Sequence, residues 1–166
     1  MADASADLQP RRLRDAFGCF GTGVTIVTAK DAAGAPVGLT ANSFTSVSLD
    51  PPLLLFCLDR KSRRSAVFER AEVFGVNVLH AGQEAISTRF ARGEAAGGLA
   101  DLPLEDWDGA PVLRDAMAAF GCLKHATYDG GDHLILVGRI RRLGFDPTQD
   151  PLLYFQGRYR SVHVPE

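Results

Sequence analysis

Two long strand-like segments, residues 117–128 and 133–145, flank the tripeptide Asp129-Gly130-Gly131. Asp-Gly and Gly-Gly pairs between two strands indicate a β-hairpin, because the tight turn needs residues that adopt positive φ easily. The two strands of a hairpin run antiparallel. The sequence therefore predicts an antiparallel sheet that contains this long hairpin.

The rest of the chain also predicts more strands than helices. Because strands and helices do not alternate regularly, a doubly wound parallel sheet is disfavoured, and a mainly β, antiparallel barrel with a few peripheral helices is expected. No G-x-G-x-x-G motif follows a strand, so a nicotinamide cofactor would have to bind without a Rossmann unit. Strands are expected at 24–30, 37–41, 53–58, 73–79 and 152–155, helices at 10–20, 62–69 and 83–91, a strand or ordered loop at 42–50, and a loop at 93–108.

Length and charge limit the possible functions. The 166 residues are enough for one domain, which we expect at residues 11–166 after a flexible tail at 1–10. The formal net charge of −2 does not favour nucleic-acid binding through phosphate neutralisation. The longest fully apolar run, residues 53–58, is too short to span a bilayer, so no membrane association is expected.

The cysteines and the N-terminal residues predict the compartment. Cys19, Cys57 and Cys122 form an odd set without metal-type pairing, which is more typical of a reducing cytoplasm than of a disulfide framework. The first nine residues lack a basic start followed by an apolar stretch, so no secretory signal is expected. The sequence therefore predicts a cytoplasmic protein.

The segment from Asp59 to Ser65 combines hydroxyls and cations between a buried strand and a helix. Backbone N–H groups at a helix start, together with guanidinium groups, can bind a phosphate. The same residues are also typical of a solvated, capped helix start. Spacing alone leaves both interpretations open.

Small polar residues continue through the segment from Gly38 to Ser48. An extended stretch of this kind can present backbone and hydroxyl groups to the polar edge of a planar heterocycle. It can equally be an edge strand whose serines face water.

His133 follows Gly131 and Asp132 at the start of a predicted strand. A histidine next to an aspartate often has a purely structural role. No partner at metal-ligand spacing accompanies His133, so a zinc site is rejected, and no G-x-S-x-G motif suggests a serine hydrolase.

Taken together, five motifs resemble the short-chain flavin reductases, the reductase components of two-component flavin-dependent monooxygenases. The resemblance extends over residues 11–161, and the motifs occur in the order and at the spacing typical of that family. The motifs are GLTANSFTSVSLDPP at 38–52, DRKSRRS at 59–65, VFGVNVL at 73–79, GDHLILVG at 131–138 and PLLYFQGRY at 151–159.

This resemblance implies a split β-barrel that forms a homodimer, with FMN or FAD near the subunit interface. It implies hydride transfer from NADH or NADPH to the flavin, and delivery of reduced flavin to a partner monooxygenase. Such chemistry belongs to the cofactors and requires no protein nucleophile or metal. By motif position, flavin contacts are expected from Thr40, Ala41, Asn42, Ser43, Ser48, Leu58, Asp59, Phe90 and Arg92, phosphate contacts from Lys61, Ser62 and Arg63, and nicotinamide contacts from His133, Tyr154 and Arg158.

Two alternatives would use the same barrel. One is an oxidase acting on a pyridoxamine-phosphate-like substrate with oxygen as acceptor. The other is a barrel that binds flavin or haem without catalysis. Flavin-dependent loss of NADH would support only the reductase.

Overall fold

The computed structural model describes residues 8–91, 99 and 101–162. Strands predominate over helices, as expected. The helices are α1 (Pro10–Phe17), α2 (Ser65–Arg70) and α3 (Glu84–Ala91), and a 3₁₀ turn at Ala81–Gln83 precedes α3. The strands are β1 (Thr22–Gly23), β2 (Thr25–Lys30), β3 (Pro36–Ala41), β4 (Thr45–Leu49), β5 (Pro52–Asp59), β6 (Val73–Val78), β7 (Leu104–Trp107), β8 (Ala110–Leu113), β9 (Ala118–Gly130), β10 (His133–Phe145), β11 (Leu153–Phe155) and β12 (Arg158–Arg160).

A seven-stranded antiparallel sheet forms the body of the molecule. Its strand order is β3-β2-β6-β9-β10-β5-β4, and a three-stranded sheet (β1-β11-β12) and the hairpin β7-β8 pack beside it. The prediction of a mainly β fold with a few helices is confirmed. Strands β3 and β4 remain edges within the described part of the chain, so strand pairing does not close the barrel.

The predicted long hairpin is formed by β9 and β10. His133 pairs with Gly130, which leaves Gly131 and Asp132 as a two-residue turn, one position later than predicted. Gly131 has a φ of 77°, a conformation that glycine adopts without steric cost. The turn therefore places His133 at the first paired position of β10.

Apolar side chains of the seven-stranded sheet form a buried core. Phe56 packs edge-to-face on Phe74 and on Phe68 of α2, with ring centroids 5.5 and 6.3 Å apart. A second buried cluster around Val24, Ile26 and Leu79 includes Phe90 of α3. Burying one aromatic ring from each helix fixes α2 and α3 against the sheet.

The structure differs from the predicted elements at several boundaries. Helix α1 ends at Phe17, not at residue 20, and α2 begins at Ser65, not at Ser62. The Asp59 carboxylate accepts a hydrogen bond from the Lys61 N–H, and the Ser62 N–H donates to the Asp59 carbonyl. These bonds form a turn before α2, because a short acidic side chain competes with the helix for backbone donors.

The sequence pattern did not predict two of the hairpins in the structure. Strands β7 and β8 join through Asp108-Gly109, and β11 and β12 join through Gln156-Gly157, with positive φ at all four residues. Both are two-residue turns of the kind that pairs adjacent strands. The predicted loop 93–108 therefore ends in a strand, and its residues 93–98 and 100 lie outside the described residues. The predicted tail at 1–10 also falls mostly outside them, so the division into tail and domain stays a prediction.

Candidate cofactor site

A cleft of about 490 Å³ opens where the C-terminal ends of β3 and β5 meet α3 and the turn before α2. Its volume is within the range of small-molecule sites. The cleft brings together residues that are far apart in the sequence. It is lined by Leu39, Thr40, Ala41, Asn42, Ser43, Cys57, Leu58, Asp59, Ser62, Arg63, Arg64, Phe90, Ala91 and His133.

Ser43, two residues after the end of β3, links this part of the cleft lining to β5. Its Oγ accepts a hydrogen bond from the Cys57 N–H at 2.9 Å and lies 3.3 Å from the Cys57 carbonyl, to which it donates. This backbone lies beyond the part of β5 that pairs with β4, which ends at Leu55. The Ser43 hydroxyl therefore forms hydrogen bonds with Cys57 backbone groups that do not pair with β4. These bonds hold the residues after β3 next to β5.

Thr40 and Arg64 join β3 to the helices around the cleft. Thr40 donates a hydrogen bond from its hydroxyl to the Ser87 carbonyl of α3 at 2.7 Å. Arg64 donates to the Gly38 carbonyl, and its guanidinium lies 5.8 Å from the Phe90 ring centroid. Partial burial lowers the pKa of Arg64. Arg64 is thus a structural cation in the wall of the cleft.

The neighbouring cations of the turn have other roles. Arg60 donates to the Gly131 carbonyl at 3.0 Å and forms an ion pair with Asp129, so it supports the β9–β10 turn. Arg63 lines the cleft and makes no ion pair or side-chain hydrogen bond with any described residue. Arg63 and the Ser62 hydroxyl therefore give the cleft a positive charge and a donor suited to phosphate.

His133 lies at the rim of the cleft, opposite Asp59 in the β5–β10 register. Its Nδ1 is 2.7 Å from the Asp132 carboxylate. The hydrogen bond with His133 is the main cause of the lowered pKa of Asp132. Because the His133 side chain is 41% exposed, it can reach a ligand in the cleft while Asp132 holds its other ring nitrogen.

Most of the predicted site residues line this cleft. They are Thr40, Ala41, Asn42, Ser43, Leu58, Asp59, Ser62, Arg63, Phe90 and His133. Ser48, Lys61 and Arg158 do not line it, and Arg92 lies outside the described residues. Leu39, Cys57, Arg64 and Ala91 were missed. The first two are neighbours of predicted positions, whereas nothing in the sequence separates the role of Arg64 from that of Arg63.

Tyr154 lines a second cavity of about 720 Å³, which lies between α1 and the β11–β12 turn. Asn42 lines both cavities, so the two adjoin at the end of β3. No cluster of metal-ligating side chains and no helix long and apolar enough to cross a membrane occurs in the described part of the chain.

A mainly antiparallel fold with a cleft lined by small polar groups after β3 and by a hydroxyl and a cation of the turn before α2 is typical of a protein that binds a planar, phosphorylated cofactor. The family comparison agrees with this class: a model described as "flavin reductase like domain" matches residues 17–163. The chain belongs to the flavin reductase like family.

Individual relatives bear related names. An FMN reductase (NADH) of Agrobacterium fabrum (strain C58) is 42% identical over 149 residues, which cover 90% of this chain and 84% of the relative. A probable flavin reductase of Rhizobium meliloti (strain 1021) is 49% identical over 141 residues, or 79% of this chain. The chain spans only 42% of the length of that relative and 57% of a second one from the same organism.

A solved structure of a Streptomyces globisporus NADH:FAD oxidoreductase, in complex with NAD and FAD fragments, has the same fold. Its TM-score is 0.86 at 36% sequence identity, and the match covers 96% of each chain. The predicted resemblance to flavin reductases is thereby confirmed.

Proposed function

We propose that this chain is an NADH:flavin oxidoreductase that reduces FMN or FAD and releases the reduced flavin to a separate monooxygenase. The observation that carries the proposal is the cleft itself, which brings Arg63 and Ser62, the residues that follow β3, and His133 together around one space. The names of the relatives that cover most of this chain support the same reaction and favour NADH.

The residues present fit a flavin nucleotide. Arg63 and Ser62 would bind the phosphate, since Arg63 has a charge that no described side chain neutralises. Asn42 and the backbone from Thr40 to Ser43 would bind the polar edge of the ring system, because the Thr40 and Ser43 hydroxyl protons are already donated to carbonyls. The flavin supplies the ring that accepts the hydride.

His133 would position the nicotinamide, with Asp132 fixing the orientation of the imidazole through Nδ1. Hydride transfer needs the donor carbon and the acceptor nitrogen to approach to about 3–3.5 Å, so alignment is the main task of the protein. Apolar groups in the cleft, including Leu39, Leu58 and Phe90, would limit the access of water to the reacting atoms.

We also propose a homodimer in the cytoplasm. Leu49, on edge strand β4, is 96% exposed, and Val47 on the same strand is exposed too. Burying such side chains against a second copy removes apolar area from water. The three cysteines are free thiols, which suits a reducing compartment. Light scattering should give about twice the chain mass of 17.8 kDa, and a monomer would refute the dimer.

Steady-state assays test the activity. Purified protein is mixed with FMN or FAD and with NADH or NADPH, and the nicotinamide absorbance is followed in air. We expect rapid, flavin-dependent loss of NADH. Loss that does not exceed the protein-free rate with either flavin would refute the reductase and favour a non-catalytic binding protein.

A further inference from the structure

A chain of hydrogen bonds runs from the flavin cleft through α3 to the hairpin of β11 and β12. Thr40, which lines the cleft, donates its hydroxyl proton to the Ser87 carbonyl at 2.7 Å. The Ser87 Oγ lies 2.8 Å from the Tyr159 hydroxyl, so one of the two hydroxyls donates to the other. We infer that Ser87 and Tyr159 are positioning residues that set the orientation of the Thr40 hydroxyl toward the flavin; this inference rests on the proposed function.

Ser87 is the central residue of this chain of bonds, since both its carbonyl and its hydroxyl have partners inside the protein. Its side chain is fully buried, with 0% exposed. A buried hydroxyl without a partner is destabilising, and Tyr159 supplies that partner. The bond to Tyr159 therefore fixes α3 at the residue whose carbonyl accepts the Thr40 proton.

Tyr159 is held in place from outside the seven-stranded sheet. It lies in β12, which pairs with β11 in the three-stranded sheet. Its ring packs edge-to-face on Tyr154, with centroids 5.5 Å apart, and both rings lie against the second buried cluster. Because the ring is packed on its sides, the Tyr159 hydroxyl has a defined position from which it can hold Ser87.

The orientation of the Thr40 hydroxyl decides which hydrogen bond it offers to the flavin. A hydroxyl has a single proton, so while the Ser87 carbonyl accepts that proton, Thr40 Oγ1 can only accept a hydrogen bond from a ligand. The polar edge of the flavin ring has an imide N–H between two carbonyl oxygens, and an N–H requires an acceptor. Displacement of Ser87 would free the Thr40 proton and remove this preference.

The packing of α3 separates this role from a purely structural one. Phe90 follows Ser87 by three residues, which places both on the same side of the helix, and Phe90 is 3% exposed. The guanidinium groups of Arg64 and Arg89 lie 5.8 and 5.4 Å from its ring centroid. These contacts hold α3 without the Tyr159 hydroxyl, so loss of that hydroxyl should leave the helix folded.

Tyr159→Phe tests the inference, because it removes the hydroxyl and keeps the ring that packs on Tyr154. The matched control is Tyr128→Phe, which removes the hydroxyl of a tyrosine that is 58% exposed and lines neither cavity. In flavin fluorescence titrations, the dissociation constants for FMN and riboflavin should both rise about 3- to 10-fold in Tyr159→Phe, the scale of one neutral hydrogen bond. They should stay within about 2-fold in Tyr128→Phe, and the KM for NADH should do so in both variants.

A double-variant cycle shows whether Tyr159 acts through Thr40. Thr40→Val removes the hydroxyl and keeps the branched shape of the side chain. In the Thr40→Val background, Tyr159→Phe should change flavin affinity by less than about 2-fold. A lower melting temperature with unchanged flavin affinity in Tyr159→Phe would overturn the inference, and so would an equal loss of affinity with and without the Thr40 hydroxyl.

The failure of the proposed function is distinguishable, because the titrations do not depend on turnover. If the wild type binds FMN but oxidises no NADH, the reductase is refuted, and the double-variant cycle still decides the role of Tyr159. A wild type that binds neither FMN nor riboflavin would overturn both.

Discussion

Replacing Arg63 by alanine should weaken FMN binding without affecting riboflavin. Arg63 lines the cleft and makes no ion pair or side-chain hydrogen bond with any described residue, so its removal leaves no buried partner behind. In the proposed function, only its interaction with the flavin phosphate is lost. A hydrogen bond to a charged group contributes about 1.5–3 kcal/mol, which corresponds to a roughly 10- to 150-fold higher dissociation constant for FMN.

Arg64 provides the matched control, since it adjoins Arg63 in the chain but contacts Gly38 and Phe90 instead. Arg64→Met keeps an unbranched side chain for packing but removes the charge and the donor. The loss of the contact with the ring should displace the wall of the cleft at a cost of about 0.5–2 kcal/mol. FMN and riboflavin should therefore weaken alike in Arg64→Met.

Quenching of flavin fluorescence measures both ligands with both variants at constant ionic strength, and thermal melting without flavin checks the fold. The informative quantity is the ratio of the riboflavin to the FMN dissociation constant. We expect this ratio to fall in Arg63→Ala and to stay constant in Arg64→Met. A constant ratio in Arg63→Ala, or a fall confined to Arg64→Met, would refute the assigned roles of the two arginines.

Three further predictions concern other parts of the site and the core. His133→Ala should lower kcat/KM for NADH roughly 10- to 100-fold at unchanged FMN affinity, and a parallel loss of FMN binding in titrations would contradict a role in positioning nicotinamide. Ser43→Ala should lower the free energy of unfolding in urea by about 1–3 kcal/mol, because the Cys57 N–H loses its hydrogen-bond acceptor. An unchanged urea midpoint of unfolding would show that this hydrogen bond does not stabilise the fold. Burial raises the pKa of Cys122 to about 12, so at pH 8 iodoacetamide should modify exposed Cys19 and spare Cys122 until the chain unfolds; peptide masses showing equal labelling would contradict this.

The sheet could be predicted because its signals are local. The Gly-containing turn before His133 and the long strands beside it determine the central hairpin without reference to the rest of the chain. Asp108-Gly109 is the same kind of turn sequence, but it lies in a segment for which a long loop was expected, so the hairpin of β7 and β8 was not predicted. The start of α2 was predicted too early because the Asp59 side chain forms a turn that the charge pattern does not reveal.

For the candidate site, the sequence could indicate segments but not the contacts of individual side chains. Motif position located the residues at the end of β3 and in the turn before α2, and most of them line one cleft. What each side chain does depends on tertiary contacts. The packing of β3, β5 and α3 determines that Arg64, not Arg63, lies against Phe90. It also determines that Ser43 forms a hydrogen bond with Cys57.

Anaerobic single turnover tests the central claim most directly. The protein with one equivalent of FMN is mixed with NADH in the absence of oxygen, and the absorbance of oxidised flavin is followed. We predict that the band disappears with one NADH consumed per flavin, and that deuterium at the transferred position of NADH slows the decay. A band that persists, or that decays no faster than in a mixture without protein, would contradict hydride transfer in this cleft.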